Sequence, residues 1–149
     1  MYTYVSKSEE VTKELAKNIG KILKKGDILT LEGDLGAGKT TFTKGIALGL
    51  QIVRNVTSPT FTMMKQYKGG TLPLYHIDAY RLENESEDIG FEELIGGDGI
   101  TVIEWAIFIE EYLPEEKLVV QIEIINLNKR KITFKPTSSY YESIVKKIC

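Results

Sequence analysis

Apolar residues recur at Val11, Leu15, Ile19 and Ile22 with the spacing of one helical face, which predicts an amphipathic helix after a short strand at residues 2–5. Ser6 and Glu9 have the spacing of a capping box that would start this helix, and Gly26 would stop it. Residues 27–32 then read as a short buried strand that runs into a glycine-rich turn, and residues 39–50 as a second helix. Two further strands, at 62–67 and 71–78, flank Gly69-Gly70 as a hairpin turn. Beyond them lie short helical pieces around 91–95, a Gly96-Gly97-Asp98-Gly99 turn, an apolar strand at 100–103, and a short helix after Trp105 that ends at Pro114. Val120, Ile122 and Ile124 alternate along 118–125, and Ile132 and Phe134 continue the pattern after Asn126-Leu127-Asn128, so a second hairpin follows. Ser138 or Ser139 caps a last helix that turns Ile144 and Ile148 inward.

Chemistry enters at the first glycine-rich turn. Gly33-Asp34-Leu35-Gly36-Ala37-Gly38-Lys39-Thr40 satisfies G-x-x-x-x-G-K-[ST] at each defined position, and it lies between a predicted strand and a predicted helix. A tight turn without a ligand is the competing reading, and the agreement of motif with context disfavours it. Glycine permits backbone angles that turn successive N–H groups inward as a nest for phosphate oxygens, and the start of the helix adds its positive dipole end. Lys39 is expected to reach the β- and γ-phosphates, the Thr40 hydroxyl to coordinate Mg²⁺, and Thr41 to contact the α-phosphate. Such a loop also needs an acidic residue at the end of another strand to hold the metal. Asp78, ending Leu74-Tyr75-His76-Ile77, and Glu104, ending Ile100-Thr101-Val102-Ile103, both qualify. Arg81, three residues after Asp78, is the internal candidate for stabilising charge on a transferring phosphoryl group, against a plain surface arginine. His76 reads as a packed strand residue rather than a general base, and Trp105 as core rather than site. The string Asn128-Lys129-Arg130-Lys131 lacks the aspartate of guanine-specific motifs, which favours ATP over GTP.

Composition narrows the class. A chain of 149 residues with 42% hydrophobic and 27% charged positions fits one globular domain spanning 1–149. It has no apolar run long enough for a membrane span and no signal-peptide pattern at its start, so a cytoplasmic protein is expected. Its single cysteine, Cys149, excludes an internal disulfide and a thiolate metal cluster. The net charge of −2 is uneven: residues 83–116 hold twelve Asp or Glu and no Lys or Arg. That segment is either a solvated face or a docking surface for a basic partner. An acidic chain grips nucleic acid poorly unaided, so any RNA contact is expected to need help.

Gly33 to Thr41, Ser58-Pro59-Thr60-Phe61, His76-Ile77-Asp78-Ala79-Tyr80-Arg81 and Ile103-Glu104-Trp105 together resemble the bacterial TsaE (YjeE) family, in order and over nearly the whole chain. The resemblance implies a three-layer α/β P-loop NTPase fold with a mixed central sheet flanked by helices. It implies an ATPase in the machinery that makes threonylcarbamoyladenosine in tRNA, working with a threonylcarbamoyl transferase and that enzyme's noncatalytic paralogue, with tRNA reached through the complex. By the same likeness Thr40 and Glu104 hold Mg²⁺, Asp78 lies near the metal or the attacking water, Thr60 senses the γ-phosphate, and Glu9 and Arg130 approach the nucleoside. The rival readings are a small-molecule kinase, for which three arginines offer little substrate site, and a binding module gated by ATP occupancy alone.

Overall fold

The computed structural model describes residues 1–34, 36–53, 55–57, 64–82, 95 and 97–148, the side chains of 81 and 82 excepted. Seven strands, β1 (Tyr2–Ser6), β2 (Ile28–Glu32), β3 (Met64–Tyr67), β4 (Leu74–Asp78), β5 (Ile100–Glu104), β6 (Leu118–Ile124) and β7 (Arg130–Pro136), form one sheet in the order β1-β7-β6-β2-β5-β4-β3. The central strands β6, β2, β5 and β4 run parallel, while β7, β1 and β3 add antiparallel edges. The sheet is therefore mixed, as expected.

Among the described residues three helices, α1 (Glu9–Ile22), α2 (Lys39–Gly49) and α3 (Ser139–Ile148), bury one apolar face each in a single large cluster. Leu29 and Leu31 of β2, Ile100 and Val102 of β5, and Leu118, Val120 and Ile122 of β6 meet them there, and Phe42 and Phe134 lie 6.4 Å apart within it. Because side chains alternate along a strand, Ile28, Ile77 and Ile103 point the other way, into a smaller cluster with Ala79 and Ile109. Among the described residues, that face is covered by the 3-10 helix Ala106–Tyr112, with Met64, Ile95 and Leu113 packed against the same cluster.

Local chemistry sets the helix ends. Ser8, not Ser6, caps α1: its hydroxyl accepts from the Val11 N–H at 3.2 Å. Ser6 is instead the last residue of β1, with its hydroxyl committed to the Ser8 carbonyl and to Thr12 Oγ1. Glu9 and Glu10 sit in the first turn of α1 and Lys21 in the last, matching the helix dipole. The helix ends at Ile22, ahead of Gly26, whose φ of +92° serves the turn into β2. Ser138 caps α3, as one of the two expected serines.

The α1 and α2 helices approach closely through small residues. A Cβ placed on Gly45 would lie 2.4 Å from the Lys13 carbonyl oxygen, and one on Gly49 would lie 2.3 Å from that of Lys17. At the chain's ends, β1 finds its partner in β7, and Tyr2 donates its hydroxyl hydrogen to Glu142 Oε1 of α3 at 2.7 Å.

Candidate functional site

The glycine-rich loop leaves β2 at its C-terminal end, where open parallel sheets bind their ligands. Gly36 and Gly38 have φ of +81° and +113°, and a Cβ at either would meet open space, so the demand for glycine there is conformational. Gly33 is different: a Cβ would lie 2.6 Å from the Ile122 carbonyl oxygen, so packing against β6 excludes a side chain. Gly38 is the N-cap of α2 and offers no side-chain cap, which leaves the first N–H groups of that helix facing the loop.

Lys39 is nearly buried, and its ammonium is surrounded. It donates to the Gly33 carbonyl oxygen at 2.7 Å, lies 3.8 Å from Glu104 Oε1, and sits 4.8 Å from the centre of the Trp105 ring. Asp78 and Glu104 end adjacent strands in direct register, so the two carboxylates flank one another. Both are buried, at 7% and 6% exposure, which brings two acids and one cation together at low dielectric. Asp78 Oδ1 accepts from the Tyr80 N–H at 3.1 Å, and Glu104 Oε2 lies 2.6 Å from His76 Nε2.

Beside the loop is a cavity of about 260 Å³, lined by Glu9 and Thr12 of α1, Gly36, Ala37 and Gly38 of the loop, Thr41 of α2, and Leu127, Asn128 and Arg130 of the β6–β7 hairpin. Arg130 ties these parts together. Its guanidinium donates to the carbonyl oxygens of Ala37 at 2.9 Å and Gly36 at 3.4 Å on the loop, and of Asn126 at 2.7 Å on the hairpin. Thr41 donates its hydroxyl hydrogen to Glu9 Oε1 at 3.0 Å, linking α2 to α1 across the same cavity.

Residues 6–132 match the family model described as threonylcarbamoyl adenosine biosynthesis protein TsaE. The chain belongs to the TsaE family. It is 52% identical over 139 residues to the tRNA threonylcarbamoyladenosine biosynthesis protein TsaE of Bacillus subtilis, covering 93% of this chain and 88% of that protein. The TsaE of Treponema pallidum is 41% identical over 131 residues, covering 87% and 96%. Among solved structures, Bacillus subtilis YdiB superposes with a TM-score of 0.86 at 44% identity, covering 99% of this chain and 93% of that one. The TsaE fold of this chain is thus the mixed-sheet P-loop NTPase fold read from the sequence, a fold family that works on nucleotides.

The residues expected at a nucleotide site converge unevenly. Gly33, Asp34, Gly36, Ala37, Gly38, Lys39, Thr40 and Thr41 form one strand-to-helix corner, with Asp78 and Glu104 at its side and Glu9 and Arg130 on its cavity. Leu35 and Thr60 lie outside the described residues, as do the rest of Ser58 to Phe61 and residues 83–94 and 96 of the acidic segment, with most of the helical pieces expected around 91–95. Arg81 falls in the 3-10 helix Ala79–Leu82 directly after β4, with its side chain outside the description. Trp105 differs from expectation: it is 39% exposed with φ of +58°, and it packs on Tyr80 at 5.2 Å and near Phe108 rather than in the core. A bulky residue in left-handed backbone is held there by its surroundings, here at the mouth of the Lys39 site. His76 is packed and fully buried, as read, yet it also bonds Glu104 across a separation of 28 residues. Nothing in the local sequence signals that contact, which exists because β4 and β5 pair in one particular register. Thr12, Leu127 and Asn128 also went unread; the turn at Asn126-Leu127-Asn128 was visible, its place beside the loop was not.

Proposed function

We propose that this chain binds Mg-ATP at Gly33 to Thr41 and hydrolyses it to ADP and phosphate. In this reading the hydrolysis serves formation of threonylcarbamoyladenosine in tRNA, in a cytoplasmic complex with the threonylcarbamoyl transferase and its noncatalytic paralogue. The single domain, residues 1–149, would carry the nucleotide chemistry and leave tRNA to the complex. The names of the relatives support the pathway, since they too are tRNA threonylcarbamoyladenosine biosynthesis proteins. The observation that carries the ATPase reading is the meeting of Lys39 with Glu104, 3.8 Å apart, at a glycine loop between β2 and α2.

The donor set suits magnesium. Thr40 in the first turn of α2 and the paired carboxylates Asp78 and Glu104 are hard oxygen ligands. No group of three or more His, Cys, Asp or Glu that would enclose a cation occurs among the described residues. A partial protein shell completed by phosphate oxygens and water is the usual arrangement for Mg²⁺. When bound, the ion neutralises charge on the β- and γ-phosphate oxygens. The loop N–H groups and Lys39 would bind and orient the triphosphate, and Glu9 and Arg130 would frame the nucleoside end. Asp78, Thr60 and Arg81 would act at the γ-phosphate end: Asp78 on the attacking water, Thr60 as sensor, and Arg81 on the developing charge. Water attacks the γ-phosphorus as the bond to the β–γ bridging oxygen breaks; ADP keeps that electron pair, and the water's proton passes to solvent or base.

The test is tRNA modification reconstituted from the chain, the transferase and its paralogue with Mg-ATP. Lys39→Ala is expected to lower multiple-turnover modification at least about a hundredfold, the scale for losing one group that stabilises transition-state charge. A folded Lys39→Ala protein supporting wild-type turnover would refute the reading. Full activity in a Glu104→Gln variant that binds but does not hydrolyse ATP would assign the role to occupancy instead.

A further inference from the structure

His76 is the histidine of this chain, and its surroundings give it more to do than fill space. It sits in the middle of β4 with no exposed surface. One ring nitrogen, Nε2, lies 2.6 Å from Glu104 Oε2, while the other, Nδ1, is buried without a hydrogen-bond partner. A buried polar atom without a partner carries a free-energy cost, and an aliphatic side chain would avoid it. The register explains why the contact is available: His76 opposes Val102, and Asp78 opposes Glu104, so His76 lies two residues below Glu104 on the same face of the sheet.

We propose that His76 is a positioning residue for Glu104, donating from Nε2 to Oε2 so that Oε1 is held toward Lys39 and the metal-binding side of the loop. The inference rests on the proposed Mg-nucleotide site. A glutamate at a strand end has three rotatable bonds. Anchoring one oxygen from beneath removes most of that freedom before any ligand arrives, and the other oxygen already lies 3.8 Å from the Lys39 ammonium. Partners that orient a metal ligand in this way contribute about 10- to 100-fold to metal affinity when they are removed.

The substitutions His76→Leu and His76→Gln separate this role from packing. Leucine fills much of the volume and donates nothing, whereas the glutamine amide reaches the same place with an N–H. The assay titrates Mn²⁺, followed by electron paramagnetic resonance, into full-length protein saturated with a nonhydrolysable ATP analogue. His76→Leu is expected to raise the Mn²⁺ concentration at half-saturation about 10- to 100-fold, with metal-free affinity for the analogue unchanged, and His76→Gln to restore the wild-type value. In a Glu104→Ala background, His76→Leu should add no further loss. Should His76→Leu not fold, the contrast between His76→Gln and His76→Phe, each alone and with Glu104→Ala, decides the same point. Wild-type Mn²⁺ affinity in a folded variant without a donor, or equal losses with and without Glu104, would overturn the inference while leaving the nucleotide site intact. Absence of metal-dependent nucleotide binding in the wild type would remove the site and the inference together.

Discussion

Replacing Gly45 with alanine sets two effects of known sign against each other. Alanine in a helix interior is favoured over glycine by about 1 kcal/mol. Against this, the new methyl would sit 2.4 Å from the Lys13 carbonyl oxygen and 2.6 Å from Ala16 Cβ, about 1 Å inside ordinary contact. The Lys13 atom belongs to backbone, so no rotamer change relieves the clash and α1 must move away from α2. Overpacking costs typically about 1–3 kcal/mol. The upper part of that range applies here, because parting the helices also strips contacts from Ala16, Ile19 and Ile46. The balance is a net loss of about 2 kcal/mol, or roughly 4–8 °C in Tm for a chain of this size. Urea unfolding should show a midpoint lowered by about 1 M with its slope unchanged. Leu48→Ala, on the exposed side of α2, serves as control and should stay within about 0.5 kcal/mol of wild type. A Gly45→Ala midpoint at or above wild type would refute the close-approach argument, since propensity alone would then have decided the outcome.

At the opposite end of the sheet, burial lifts the Asp27 carboxyl above the ordinary carboxylate range, outweighing hydrogen bonds from the Lys24 N–H and the Tyr140 hydroxyl. A folded pKa above the unfolded value of about 3.9 favours folding below that value, and the benefit is lost as pH rises through the raised pKa. Asp27→Asn should therefore gain stability relative to wild type as pH climbs from about 4 toward neutrality, measured as the gap between urea midpoints. A gap independent of pH would contradict this. Arg130→Gln removes the guanidinium bonds to Gly36 and Ala37, and nucleotide affinity by calorimetry should fall about tenfold, or ~1.4 kcal/mol. Unchanged affinity would mean that Arg130 braces the hairpin alone.

What the chain disclosed in advance follows from how local each cause is. The corner between β2 and helix α2 was legible because its signals are contiguous: the glycine pattern, the strand before it and the helix after it follow one another in the chain. The β6–β7 hairpin was legible from alternation around a short turn. The cap of α1 was displaced by two residues because both Ser6 and Ser8 carry hydroxyls, and only the extent of β1 and the Ser6–Thr12 contact decides between them. Trp105 was misplaced because hydrophobicity argues for burial, while its left-handed backbone and its position over Lys39 are consequences of tertiary structure. The Glu104–His76 pair and the glycine crossing of α1 with α2 depend on pairing register and helix geometry, neither of which any short window encodes.

The pairing of β1 with β7 has a consequence for biosynthesis. At about 5–20 residues per second, a ribosome needs roughly 6–25 s to go from the end of β1 to the start of β7. Throughout that interval the opening strand has no neighbour to accept its hydrogen bonds. The cavity beside the glycine loop shares this delay, because Glu9 stands just after the opening strand and Arg130 begins the strand that closes on it. The cavity is therefore completed in one late step, and a nascent chain stalled before Arg130 holds the whole glycine loop while lacking the hairpin wall beside it.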